Sequence, residues 1–233
     1  MSARIGKETA VDVYTNETQH IVEELNKLDL ILLRRVHEFR LQLKASQYTP
    51  ANQHILISNE EVDWLLSDPV LEEGEQQKLA QLDEEILAFS EGIANTLDNS
   101  DMDSLCLPLL RLARLFNLSP FEVQALIICL APELRRKYDR IYAYLQDDIT
   151  RKRPSVSLVL DLLCRSESER WQLQSLFSNN GNLIQAGLLE IIEDHHSPSG
   201  SSDLARFLKL NTRILNYILG NNSLEPRLHD MAV

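Results

Sequence analysis

The sequence predicts a mainly α protein: an N-terminal long helical hairpin, then a set of short helices in helix-turn-helix style, closed by a β-hairpin. Three observations predict it. Two apolar stripes of similar length run at helical spacing through the first hundred residues. Between Pro108 and Leu163, short apolar runs are separated by residues that start and stop helices. Behind them the period changes to short apolar runs flanking a polar loop. Seven glycines in 233 residues, with many Leu, Glu, Gln and Ala, also favour helix over sheet.

Residues 1–16 read as a disordered tail. From Glu17 to Ser46, Ile21, Leu25, Leu28, Leu32, Val36, Phe39 and Leu43 advance by threes and fours, giving one stripe on a single helix. Thirty helical residues extend about 45 Å. Tyr48-Thr49-Pro50 ends that helix, Ser58 with Glu61 caps a short one, and Asp68-Pro69 starts another. Its stripe, Leu79, Leu82, Ile86, Phe89, Ile93 and Leu97, matches the first. The two long helices are therefore expected to pair antiparallel over 17–100, with an oligomer seam as the alternative use of the stripes. Charge marks where this unit ends. Residues 1–100 carry 8 basic and 19 acidic side chains, residues 101–233 carry 15 and 16, and the polar run Asp98–Asp103 lies at the change.

The second unit, 104–220, opens with Leu109, Leu112, Ala113 and Phe116 on one helical face. Asn117-Leu118-Ser119-Pro120 interrupts it. Ser119 is the expected N-cap, Pro120 fits the first helical position, and Glu122 completes a capping box. Phe121 to Leu130 is almost wholly apolar and must be buried, and Pro132 is expected to end that helix. In the next helix Leu134, Tyr138, Ile141, Tyr142 and Leu145 share a face, leaving Arg135, Arg136, Lys137 and Arg140 outside it. Arg151-Lys152-Arg153-Pro154 leads to Ser155, a cap for a helix carrying Val156, Val159, Leu160 and Leu163. Ser166 and Glu169 form a second capping box ahead of Trp171, Leu173, Leu176 and Phe177, and Asn179-Asn180-Gly181 stops that helix.

Two strands are expected at 188–193 and 204–210, joined by a polar loop over 196–203, with a last helix from Thr212 to Leu219 capped by Asn211 and closed by Gly220. Helices followed by a β-hairpin give the element order of a winged-helix domain, with the polar loop as the wing.

The segments LARLFNLSPFEVQALIICLAPEL, KYDRIYAYLQDDITRKRPSVSLVLDLL, GLLEI, LKLNTRILNYILG and LEPRL resemble the region ahead of the motor in a bacterial AAA+ ATPase family of the Cdc48-like type. That family is associated with extracellular contractile injection systems. The resemblance covers residues 104–228. It implies a helical plus winged-helix region that recruits a protein substrate or adaptor for an ATPase module lying farther toward the C-terminus, with 221–233 as the linker toward it. ATP and magnesium are implied for that module only, and homo-oligomer formation through the full-length protein.

Within this sequence a phosphate-binding loop finds no support. Such a loop needs a Gly-Lys pair followed by a hydroxyl residue, and Gly6-Lys7 is followed by Glu8. No catalytic residue and no cofactor site are expected, and the sequence stops at Val233 before the ATPase module. No apolar run reaches the length needed to span a bilayer, and the N-terminus lacks a secretory core, so a cytoplasmic protein without membrane contact is expected. Cys106, Cys129 and Cys164 stand apart among apolar residues and read as buried thiols.

The candidate partner-binding residues are Arg135, Arg136, Lys137, Arg140, Arg151, Lys152 and Arg153. On a helix-turn-helix scaffold such a set can contact phosphates. Net charge of −12 and the scarcity of base-reading side chains on the Ser155–Leu163 helix oppose this, and a solvated face with local salt bridges is the preferred reading, while the resemblance implies a protein contact. Asp194-His195-His196 lacks the further ligands a metal site requires. Tyr138 and Tyr142 share the packing face, so structural roles are expected for them rather than acid–base chemistry. Two functions remain: a module recruiting a protein to the ATPase, or a winged-helix regulator that binds nucleic acid.

Overall fold

The computed structural model describes residues 13–14, 16–45, 72–100, 107–192 and 202–220. The expected short helix after Ser58, the Asp194-His195-His196 run, the wing tip and the 221–233 linker lie outside the described residues.

Helix α1 (Glu17–Ala45) and helix α2 (Glu73–Asn99) pair antiparallel, as their matched stripes predict. Three contacts fix the direction: Tyr14 N–H donates to Ser100 Oγ at 3.0 Å, Arg34 meets Asp83 at 2.6 Å, and His37 meets Glu75 at 2.8 Å. Asn16 caps α1 by accepting from the N–H groups of Thr18 and Gln19. At the end of the expected disordered tail, Tyr14 is instead buried, its hydroxyl donating to Glu23 and its ring edge-on to His20. The aromatic ring gains more by covering the helix pair than by remaining in water.

The remaining elements are α3 (Pro108–Leu115), α4 (Pro120–Leu134), α5 (Lys137–Leu145), α6 (Val156–Leu163), α7 (Glu167–Gln174), α8 (Asn182–Gln185), β1 (Leu189–Ile192), β2 (Phe207–Leu210) and α9 (Thr212–Ile218). The strands pair antiparallel, with Leu189 opposite Leu210 and Ile192 opposite Phe207. Ser155 adds an isolated bridge to Phe207: Val156 N–H donates to the Arg206 carbonyl and Leu208 N–H to that of Pro154. The chain entering α6 is thereby tied to the hairpin.

One apolar cluster runs through all of this. It joins Ile21, Leu25, Leu28, Ile31 and Leu32 of α1 to α4, α5, α6 and the hairpin residues Leu189, Leu208 and Leu210. Helix α1 is thus gripped from two sides, by α2 and by the shorter elements. Leu28 is 0% exposed, and even the polar His20, Glu24 and Lys27 are buried beside it. The burial of Glu24 and Lys27 is compensated: Lys27 Nζ lies 2.6 Å from Glu24, which also accepts from Gln124 of α4 at 2.9 Å.

Several joints form as the sequence predicts. Ser119 and Glu122 complete their capping box, with Ser119 N–H donating to the carboxylate at 2.8 Å and Glu122 N–H to Ser119 Oγ at 3.3 Å. Asn211 caps α9 through the Arg213 N–H, and Gly220 follows with φ +72°. Ser166 accepts from the Glu169 N–H, but the Glu169 carboxylate accepts from Arg165 N–H rather than closing the box on Ser166. Residues 204–206 are expected in the second strand, but Asp203–Ala205 form a 3-10 turn with Arg206 as its extended C-cap; Ser202 Oγ caps the start and Asp203 pairs with Arg206 at 2.7 Å. Short polar side chains that bond the local backbone outcompete the strand ladder there.

Pro132 does not end its helix. Helix α4 continues to Leu134 with the proline inside it. The missing N–H would orphan the Ile128 carbonyl one turn back, and the Tyr142 hydroxyl from α5 donates to that oxygen at 2.9 Å. Burial pushes the Tyr142 phenol well above its ordinary pKa, so the donor proton is held. The proline is tolerated because a side chain from the next helix replaces its donor.

Candidate partner-docking surface

The geometry begins with the joints that present the seven cations. Arg135 and Arg136 lie in the tight step from α4 to α5, and Lys137 opens α5. The end of α5 is closed by Asp147 in a left-handed conformation, φ +49°, with Asp148 N–H donating to the Ala143 carbonyl at 3.0 Å. The loop that follows is pinned by one side chain: the Gln146 amide donates to the carbonyls of Arg151 at 2.9 Å and Arg153 at 3.0 Å. Asp148 accepts from both the N–H and the hydroxyl of Thr150, and these bonds hold its carboxyl below its ordinary pKa.

Three of the seven cations are internally compensated. Lys137 meets Asp29 of α1 at 2.5 Å, Arg153 meets Glu133 at 3.2 Å, and Arg151 lies 3.5 Å from Asp148 with its guanidinium over the Phe207 ring. Arg135, Arg136, Arg140 and Lys152 are exposed and form no ion pair among the described residues. The structure gathers Arg136, Lys137, Arg140 and Lys152 round one groove, and leaves Arg135, Arg151 and Arg153 out of its lining. Tyr144 and Ile149 line the same groove, Ile149 being 87% exposed. Sequence reasoning missed Ile149. Its signal was a lone apolar residue off the helical period in a charged loop.

The helix-turn-helix lies elsewhere. Its first helix is α6, which is buried through Val156, Leu158, Val159, Leu160 and Leu162 and so cannot face a ligand. Its second, outward helix is α7. Arg170 clamps α7 onto α6, bonding both Asp161 and Ser157. A further ionic set holds the pair against the long helices: Arg165 meets Asp83 of α2 at 2.7 Å, and Arg35 of α1 approaches Asp161 at 3.9 Å. What α7 leaves outward is Glu167, Ser168, Trp171 and Gln172, with Trp171 71% exposed. The sequence grouped Trp171 with the apolar residues of this helix, and the structure turns it to the surface above a groove formed with Gln174, Phe177, Asp203 and Arg206. None of the seven basic residues lines that groove.

Among the described residues no three His, Cys, Asp or Glu side chains converge as metal ligands. Cys129 is fully buried, and burial pushes its thiol well up; Cys164 is half-buried, with its thiol also raised by burial. Neither thiol is activated as a nucleophile. No described helix is long and apolar enough to cross a membrane.

Helices packed against a two-stranded hairpin, with a helix-turn-helix tied to it by the Ser155 bridge, define a winged-helix protein. The family model described as "Winged helix domain, variant" matches residues 2–232, and the chain belongs to that family. No curated protein and no solved structure matches it.

Proposed function

We propose that this winged-helix chain is a protein-recruiting module. One observation carries the reading: the outward face of α7 offers two features of a protein contact, an exposed Trp171 and an acidic first turn, while its only arginine is held internally. A helix that reads duplex DNA needs donors and cations toward phosphates and base edges. An exposed tryptophan beside a groove is the kind of anchor protein interfaces bury.

In the finer reading the chain is the non-catalytic N-terminal region of a AAA+ ATPase in the cytoplasm. It holds a substrate or adaptor and docks on its own ATPase module, which oligomerises and uses ATP to remodel the recruited protein. Support for this comes from the resemblance over residues 104–228, which points to contractile injection system components as substrates. ATP and magnesium act in the ATPase module, outside these residues. The alternative, a nucleic-acid-binding regulator, is supported by the four uncompensated cations alone, and they stand apart from the α7 groove.

The test is capture of partners by the purified chain from extract of its own source, with and without nuclease. Sheath, tube or baseplate proteins retained after nuclease are the expected result. Recovery that disappears with nuclease, leaving nucleic acid in the untreated eluate, contradicts the reading.

A further inference from the structure

We propose that the groove between α5 and the 147–152 loop binds an acidic peptide with a large apolar side chain. That side chain seats against Tyr144 and Ile149 while its neighbouring carboxylates meet Arg136, Arg140 and Lys152. The inference rests on the protein-recruiting reading and names the chemistry of a partner segment.

Two observations coincide in this groove. Ile149 is 87% exposed and Tyr144 41%, in a loop that the Gln146 amide and Asp148 hold in a fixed shape. A rigid loop that holds an isoleucine almost fully in water presents ordered apolar area at little further entropic cost on binding. Around it stand three cations with no ion pair among the described residues, on a chain whose net charge is −12. Lys137, which also lines the groove, is paired with Asp29, and Arg153, outside it, is paired with Glu133. Three of the four cations without an ion pair, all but Arg135, therefore stand round the exposed apolar contact, and complementarity calls for negative charge flanking an apolar anchor.

Carboxylates of the groove itself decide between the two classes of polyanion. Asp139, Asp147 and Asp148 also line it, interleaved with the cations. A nucleic-acid backbone carries charge at every step and meets repulsion at these positions as well as attraction. A peptide places its acids at chosen intervals and uses the isoleucine, which a phosphate backbone does not.

Fluorescence anisotropy of the full chain tests this with four labelled probes. They are a short peptide with one leucine flanked by Asp and Glu, the same peptide with alanine for leucine, its Lys-for-acid counterpart, and a single-stranded DNA oligonucleotide of equal charge. Saturable binding of the first peptide is expected, weakened roughly tenfold by the alanine exchange and by Ile149→Ser or Arg140→Glu. All these positions are exposed, and unchanged circular dichroism verifies that the variants fold. The proposal is overturned if the first peptide fails to bind, if the DNA binds as tightly, or if Ile149→Ser leaves the affinity unaltered. Nuclease-resistant partner capture that survives Ile149→Ser and Arg140→Glu but is lost in Trp171→Ala overturns this groove and leaves the recruiting reading intact.

Discussion

Replacing Tyr142 by phenylalanine removes one oxygen from a fully buried site and should destabilise the chain measurably. The Tyr142 hydroxyl is the donor that satisfies the Ile128 carbonyl, whose helical partner Pro132 cannot supply. Deleting it strands a buried acceptor, at about 1–3 kcal/mol. For a chain of this size that corresponds to a fall in Tm of roughly 2–12 °C. Urea denaturation followed by circular dichroism gives the free energy. The decisive comparison is the same substitution in a Pro132→Ala background. There the restored N–H can donate to Ile128, so the cost of losing the hydroxyl should shrink by half or more, a coupling readable from the double-mutant cycle. Equal costs in the two backgrounds would falsify the argument that the hydroxyl substitutes for the proline's missing donor.

Three further outcomes are expected. Leu28→Ala, at a position 0% exposed in the cluster shared by α1 and the winged-helix elements, should cost about 2–5 kcal/mol and lower one common unfolding transition; separate transitions for the helical pair and the hairpin would contradict a shared core. Ser119→Ala should cost about 1 kcal/mol in the same assay, because both halves of its capping box are formed, whereas no loss would mean the box contributes nothing. His20 is buried, and that burial, partly opposed by Glu24, lowers its pKa below 6.5, so the unfolded chain binds the extra proton first. Its contribution to stability is complete above that value and is lost as pH falls through the folded pKa. Between pH 7 and pH 5 wild type should therefore lose stability more steeply than His20→Gln, and parallel profiles would refute the assignment.

Much of the fold was legible because local and long-range signals agreed. The stripes from Ile21 and from Leu79, the Ser119 and Asn211 caps, and the change of period at Leu188 each fixed an element that burial then reinforced. What sequence could not supply were contacts made across the chain. Pro132 reads as a stop until Tyr142 is placed beside it. The burial of Glu24 and Lys27 follows from α4, whose Gln124 bonds Glu24, a contact no local pattern announces. The candidate site was legible in part. The cations were visible as a set, but only folding divides Lys137, Arg151 and Arg153, which have carboxylate neighbours, from Arg135, Arg136, Arg140 and Lys152, and gathers Arg136, Lys137, Arg140 and Lys152 round the groove with Ile149. Trp171 was visible as an apolar residue at helical spacing, and its exposure follows from the Arg170 clamp that sets the rotation of α7.

The central claim, that the outward face of α7 receives a protein, is tested most directly by the fluorescence of Trp171 itself. The chain has two tryptophans, Trp64 and Trp171, so a Trp64→Phe variant isolates the reporter. Adding the partner purified from nuclease-treated capture should shift its emission to the blue and protect it from iodide quenching. Emission and quenching unchanged at saturating partner would contradict the claim.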